Sequence, residues 1–521
     1  MSSRPFLSDS EQNVLGAVSR LAKGNPFEPS RIENERQALG PAFAPAAAVW
    51  HVDADLQGTS PNVGPLSELA EALAGSLRQR LAAGARSTPE QLRLYEGLIY
   101  YLLFYRFESS LLELIHSSSE GRAATYRLAF YGEFRAAFEH FFAIRGVEFP
   151  FEPDPDHALA LGFQIRRAFH HTYWQIVGGS TPVAQLRASV WRSIFTHDLE
   201  RYQRALIGRM ADIPTLILGE SGTGKELAAR AIAMSRYIPV DPRKQAFVED
   251  FAAGYRAVNL SALSSTLIES ELFGHKKGAF TGAVQDREGW LEACGIYGTI
   301  FLDEIGELDP TIQVKLLRAL QSRVLQRIGE TEDRPFRGKI VAATNRDLET
   351  EMMRGGFRED LYYRLCADII RMPTLREQVS RAPEELESLV RVIARRMVGD
   401  EADALTDEAV TFIHDGLPQG YDWPGNVREL EQCVRSVLVK GSYSPVRRRL
   451  EEAGPGIAAA LLRGEGTADQ LLREYVTRVY AVVGSYEKAA RVLELDRRTV
   501  KAKVDPELLA ELRESGRDAP R

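Results

Sequence analysis

Thr215-Leu216-Ile217-Leu218 is a short apolar run that leads directly into Gly219-Glu220-Ser221-Gly222-Thr223-Gly224-Lys225-Glu226 and then an amphipathic stretch to Ser235. A strand that passes through a glycine-rich loop into a helix admits few folds. The glycines let successive backbone amides approach a phosphate, and the helix adds its positive N-terminal end. Further short strands are expected at Tyr255 to Leu260, Thr299 to Asp303, Lys339 to Thr344 and Ile369 to Met372, with helical spacing between them, notably Pro310 to Gln326. Short apolar strands alternating with helices predict a parallel α/β sheet covered on both faces.

The chemistry of such a sheet gathers at the C-terminal ends of its strands. In Gly298-Thr299-Ile300-Phe301-Leu302-Asp303-Glu304 four apolar residues drive a buried strand, and two carboxylates emerge where a ligand would sit. Lys225 is the residue to bridge the β- and γ-phosphates of ATP. Asp303 would hold Mg2+, directly or through water, and Glu304 would polarise the attacking water. Most phosphate-binding loops end on Ser or Thr for the metal. Glu226 stands there instead, so magnesium leans more on Asp303.

The chain of 521 residues is too long for one ordinary domain, and about three are expected. Its net charge of -7 argues against nucleic-acid binding by the whole surface while leaving room for a local basic reader. Cys294, Cys366 and Cys433 are scattered without metal spacing, as suits thiols in a reducing compartment. The start, MSSRPFLSDSEQ, has no signal-peptide pattern, and the longest apolar stretch, Leu98 to Tyr105, falls far short of the roughly 20 residues that span a bilayer. A soluble, cytoplasmic protein is expected.

Residues 1–172 read as a mainly helical N-terminal domain without receiver-type alternation or a phospho-acceptor aspartate. Its aromatic residues Tyr95, Tyr100, Tyr101, Phe104, Tyr105 and Phe107 suit a helical core and also suit the lining of a ligand pocket. His170-His171 lacks acidic or cysteine company and reads as structural or surface. An α/β segment at 173–373 is followed by a helical lid at 374–440, a linker at 441–465 with Arg447-Arg448-Arg449, and a terminal helical segment at 466–521. In that last segment Tyr486 to Leu493 forms a short helix, Glu494-Leu495-Asp496 the turn, and Arg497 to Val504 starts the next helix. Ala489 and Ala490 permit close crossing, and Leu493, Leu495 and Val500 supply the small core. Arg497, Arg498, Thr499, Lys501 and Lys503 are available to phosphates and base edges.

Between the two nucleotide motifs lies Glu271-Leu272-Phe273-Gly274-His275, then Gly278-Ala279-Phe280-Thr281-Gly282-Ala283. An apolar ring and a hydroxyl on a glycine-hinged loop are unusual, because loops favour polar turn residues; the ring is either tucked back or held out for a partner. This hexapeptide, together with the GESGTGKE loop, resembles the signature of the sigma-54-dependent transcriptional activators, bacterial enhancer-binding proteins of the AAA+ class. The resemblance covers about residues 174–440, and the terminal segment is similar to the Fis-type helix-turn-helix that ends many such activators. It implies that Gly278 to Ala283 touch the sigma factor. It also implies that Asn345, in Thr344-Asn345, is sensor I. Arg358 and Arg364, within Phe357 to Leu365, are arginine fingers that enter a neighbouring subunit's site. Arg428, within Trp423 to Leu430, is sensor II, and Asn259 restrains the catalytic glutamate, although the connection ahead of it, Ile238 to Gly254, is longer than in most family members.

The function so implied is an ATPase ring, a hexamer by analogy, that binds upstream enhancer DNA and remodels the closed complex of the sigma-54 RNA polymerase holoenzyme, under control of the N-terminal domain. An AAA+ remodeller of another protein client shares the ATPase parts but needs neither the hexapeptide nor a terminal DNA reader. A DNA-binding regulator with a vestigial ATPase fits poorly with intact Lys225, Asp303 and Glu304.

Overall fold

In the computed structural model, residues 6–47, 50, 60–119, 127–418, 420–445, 467–506 and 508–509 are described. The chain divides into two compact units, residues 1–441 and 442–521.

The centre of the first unit is a five-stranded sheet built from β1 (Thr215–Leu218), β2 (Tyr255–Asn259), β3 (Thr299–Asp303), β4 (Lys339–Thr344) and β5 (Asp368–Arg371). The order is β5-β1-β4-β3-β2, and every pairing is parallel. Side chains alternate across the pleat, and both faces are buried. Ile217, Phe301, Val341, Ala343 and Ile370 enter one core, whereas Leu216, Ile300, Leu302, Ile340 and Ala342 enter another. Double-sided burial explains why these strands read as continuous apolar runs rather than as alternating ones.

The second core is closed by helices Ser265–Phe273 and Pro310–Ser322 through Ile268, Leu272, Leu316 and Leu320. The first is closed by the helix after the glycine loop, Lys225–Ala233, and by two helices that precede the sheet, Pro155–Gln175 and Thr181–Phe195. Leu161, Ala168, Tyr173, Val190, Trp191 and Ile194 pack there with Ala228, Ala229 and Ile232. A boundary at residue 172 would therefore fall inside the helix Pro155–Gln175, which belongs to both halves of the unit. Helical spacing marks a buried stripe but not the core into which the stripe docks.

Ahead of that helix, Asp9–Lys23, Ser30–Leu39, Val63–Ala82, Pro89–Arg106, Glu108–Ser119 and Tyr131–Phe142 build a helical layer around Tyr95, Leu98, Phe107, Phe134 and Phe138. Capping boxes start two of these helices: Ser8 with Glu11, and Thr88 with Gln91.

The long connection at Ile238 to Gly254 has a structural use. Val240–Asp241 and Ala246–Phe247 form a small antiparallel hairpin. The Phe247 ring stacks on Phe163 at 4.5 Å, and Leu128 N–H donates to the Gln245 carbonyl at 2.7 Å. The insertion thus ties the sheet-bearing half of the unit to the N-terminal helices.

Helices Leu375–Arg381, Glu385–Val398, Ala402–Gly416 and Asn426–Lys440 make the lid. In the second unit Ala468–Val483, Tyr486–Leu493 and Arg497–Lys503 pack around Val476, Ala489 and Val500, with Leu493 and Leu495 against them. The Arg447-Arg448-Arg449 run lies outside the described residues. Among the described residues, no helix is long and apolar enough to cross a membrane.

Candidate functional site

β1 ends at Leu218 and the helix begins at Lys225, so the intervening loop must reverse within a few residues. Gly222 and Gly224 take φ of +79° and +89°, the left-handed region that side chains avoid. At Gly222 a second constraint applies, because a Cβ would lie 2.2 Å from the Gly425 carbonyl oxygen of the lid. The Lys225 ammonium, almost wholly buried, donates to the carbonyls of Gly219 at 2.9 Å and Glu220 at 3.3 Å. It lies 3.8 Å from Glu304 Oε1.

Glu304 follows β3 directly and sits at φ +57°, a left-handed conformation uncommon for non-glycine residues. Its other oxygen, Oε2, accepts from the Asn345 backbone N–H at 3.2 Å. Asp303 Oδ1 accepts from the Glu304 N–H at 3.1 Å, and burial raises the Asp303 carboxyl above its ordinary range despite Lys225 nearby. A carboxylate desolvated at a strand end, next to a phosphate-type loop, gains from a hard cation, and its oxygen donors suit Mg2+. Glu226 sits in the first turn of the helix after the loop.

Lys225, Asp303, Glu304 and Asn345 thus come together at the ends of β1, β3 and β4. Asn259 does not join them: its Oδ1 accepts from Ser261 N–H at 2.9 Å and from Ser261 Oγ at 2.7 Å, capping the turn after β2. Glu304 is held by Lys225 and the Asn345 amide instead. Asn259 ends its strand in register with Asp303, one residue short of Glu304, and the local Asx turn captures its short side chain.

Arg428 reaches the loop from the lid, donating from Nη1 to Ser221 Oγ at 3.1 Å. Asn426, two residues earlier in the same Trp423 to Leu430 segment, makes the tighter connection. It is buried at φ +52°, and its amide donates to Glu220 Oε2 at 3.0 Å and the Ser221 carbonyl at 3.1 Å. Its Oδ1 accepts from the Leu375 N–H at 2.9 Å. One side chain therefore links the loop to two lid helices.

Arg358 and Arg364 have their partners outside this cluster. Arg358 forms a bidentate pair with Asp360 (3.0 and 2.7 Å), and its backbone N–H donates to the buried Gln313. Arg364 is exposed and donates to the Leu320 carbonyl at 3.3 Å. Neither has a partner in the glycine loop or at the end of β3. This is the placement a residue needs if it serves another copy of the chain.

The hexapeptide forms a closed turn. Gly278 N–H donates to the Ala283 carbonyl at 2.8 Å, and Ala283 N–H returns to the Phe280 carbonyl at 3.0 Å. Gly278 and Gly282, at φ +83° and +102°, make the hinges. Phe280 is tucked back: its ring lies edge-on to His275 at 4.9 Å. Ala279 is half-buried, Ala283 is buried and Thr281 is exposed. Lys276, paired with Asp286 at 3.1 Å and Glu330 at 3.3 Å, ties down the base.

In the second unit Arg498 and Lys501 are exposed, Thr499 is partly buried and Arg497 pairs with Glu487 at 3.2 Å. Lys503 is turned onto Asp469 of helix Ala468–Val483, a competitor that the linear sequence concealed.

The Sigma-54 interaction domain family matches residues 196–371, the segment that carries every β-strand of the sheet. This segment is a sigma-54 interaction domain. The Nif-specific regulatory protein of Azotobacter vinelandii is 42% identical over 295 residues, covering 55% of this chain and 52% of that protein. The transcriptional regulatory protein ZraR of Salmonella typhi is 40% identical over 304 residues, covering 56% and 63%. The hydrogenase transcriptional regulatory protein HoxA of Bradyrhizobium diazoefficiens is 44% identical over 250 residues, covering 47% of each. The chain thus spans between about half and two thirds of the length of these relatives.

Proposed function

We propose that this protein is an ATP-hydrolysing transcriptional regulator that binds upstream DNA and remodels the sigma-54 RNA polymerase closed complex to start transcription. The carrying observation is the closed Gly278–Ala283 turn, with its exposed Thr281, in a domain whose Lys225 and Glu304 lie 3.8 Å apart. Relatives named as transcriptional regulators support the same reading.

The glycine loop and Lys225 bind the triphosphate, and Glu304 takes the proton of the attacking water. Asp303 would hold Mg2+, which would offset phosphate charge when bound. Arg358 and Arg364 act on the nucleotide of an adjacent subunit in a ring, and Arg428 and Asn426 couple the loop to the lid. Release of Phe280 from His275 as the γ-phosphate state changes extends the loop toward sigma-54, an ordered-loop switch. The helices Tyr486–Leu493 and Arg497–Lys503 hold the ring near its promoter and raise its local concentration.

The test is binding of the full-length protein to purified sigma-54 in ADP with a γ-phosphate transition-state mimic. Nucleotide-dependent binding is expected, lost in Thr281→Ala while ATP hydrolysis persists. Hydrolysis without sigma-54 binding would instead favour a remodeller of a different protein client. For the DNA reader, Arg498→Ala with Lys501→Ala is expected to weaken enhancer binding and lower its salt slope by about 2, roughly one per phosphate contact. An unchanged slope would remove these residues from the interface.

A further inference from the structure

Between the N-terminal helices and helix Pro155–Gln175 lies a cavity of about 850 Å³. Pockets for small organic ligands span about 300–1,000 Å³. Aromatic rings form a large part of its wall: Tyr100, Phe104 and Tyr105 of helix Pro89–Arg106 line it together with Phe169 and Trp174 of helix Pro155–Gln175.

The polar groups in the wall are distinctive. Arg31 pairs with Glu35 at 2.5 Å and Arg166 with Glu108 at 2.7 Å, so each of these cations already has a counter-ion. Yet Arg31 Nε, Ser60 Oγ, Arg166 Nε and His170 Nδ1 are buried without any hydrogen-bond partner. Arg31 and Ser60 are 7% and 9% exposed. A buried polar atom left unmet costs about 1–3 kcal/mol, and native proteins keep few of them. Burial, with His116 and Arg166 close by, pushes His170 down to about 4, so its ring is neutral near pH 7 and offers one donor and one acceptor. The wall also has free space: a Cβ built on Gly162, which lines it, would meet nothing within 4 Å.

We propose that this cavity is a binding site for a neutral, ring-bearing small molecule with a hydrogen-bonding group, stacked by the aromatic wall and anchored by Arg31, Ser60 and His170. Lys23 of the wall pairs with Glu96 and Glu200, and Arg20, bonded to the neutral Asn34 and Gln37, is exposed, so a charged ligand would find no free buried counter-charge. The position has a consequence for control. Helix Pro155–Gln175 lines the cavity and also donates Arg167 to the carbonyls of Met234 and Arg236, just beyond the helix that follows the glycine loop. A ligand in the cavity thus touches the helix whose Arg167 holds the C-terminal end of Lys225–Ala233, the helix that starts at the glycine loop.

N-phenyl-1-naphthylamine, a neutral fluorophore with one N–H donor, tests the assignment when titrated into the full-length protein. Saturable fluorescence enhancement is expected, retained in Gly162→Ala and weakened at least about tenfold in Gly162→Phe, which fills the space. Leu112→Trp narrows the cavity from the separate helix Glu108–Ser119 and should act alike, so failure of one variant to fold leaves the other decisive. The anionic relative 8-anilinonaphthalene-1-sulfonate should bind at least about tenfold more weakly than the neutral dye. Absence of saturable binding, or undiminished binding in a folded filling variant, would overturn the site. Equal affinity for the two dyes would overturn the neutral ligand class.

Discussion

Glu304→Gln is expected to lower ATP hydrolysis by about 10²–10⁴-fold, the usual contribution of a positioned general base, while ATP binding persists. The amide keeps the shape of the carboxylate and can still accept from the Asn345 N–H, which now holds Glu304 Oε2 at 3.2 Å. It cannot take a proton from water. Lys225→Ala serves as the contrast. It removes the ammonium 3.8 Å from Glu304 that would contact phosphate, so nucleotide binding should fail along with hydrolysis. Phosphate release measured beside equilibrium binding of a fluorescent ATP analogue separates the two. A Gln variant that hydrolyses at the unmodified rate would show that the water is activated elsewhere.

The second large effect concerns stability. Arg167 has no solvent exposure, and its guanidinium donates to the carbonyls of Met234 at 2.8 Å and Arg236 at 2.7 Å. Phe163, one turn earlier on the same helix, and Phe251 of the inserted connection flank it at 4.6 and 5.0 Å. Arg167→Met retains much of the apolar stem but leaves two carbonyls without their donor. At about 1–3 kcal/mol for each unmet buried group, the loss should be roughly 2–6 kcal/mol. The midpoint of the first urea-unfolding transition should fall accordingly, and proteolysis should open the 238–254 connection. A midpoint equal to that of the unmodified chain would mean that Arg167 does not hold the two halves together.

The central sheet was legible because its signals are local. Apolar runs such as Ile300-Phe301-Leu302 have no alternative to burial, and all five strands form within one residue of the expected bounds at either end. The helix after the glycine loop starts at Lys225, and the terminal pair Tyr486–Leu493 and Arg497–Lys503 flanks the expected turn at Glu494. Helix ends were less legible: Pro310–Ser322 stops short of Gln326 because Arg323 turns left-handed and Val324–Leu325 pairs as a strand.

The candidate site was legible as motifs and less so as contacts. Lys225, Asp303 and Glu304 are adjacent to strand ends, so the topology alone brings them together. Asn259 had a motif match but is claimed by Ser261, two residues away. Asn426 was visible inside Trp423 to Leu430, yet its contact with Glu220 spans more than 200 residues and leaves no periodic trace.

By itself, the sequence determined the element types, the strand-end chemistry and the glycine hinges of the Gly278–Ala283 turn, because strand burial, phosphate-type loops and left-handed turns depend on neighbours in the chain. Only the tertiary structure decided that Phe280 folds onto His275, that Lys503 is drawn to Asp469, that the 238–254 insertion grips the N-terminal helices, and that the aromatic residues around Tyr100 surround open space as well as filling a core. Those outcomes depend on which surfaces meet. Periodicity specifies that a face is buried, whereas the partner of that face, and any gap left between them, follow from long-range packing.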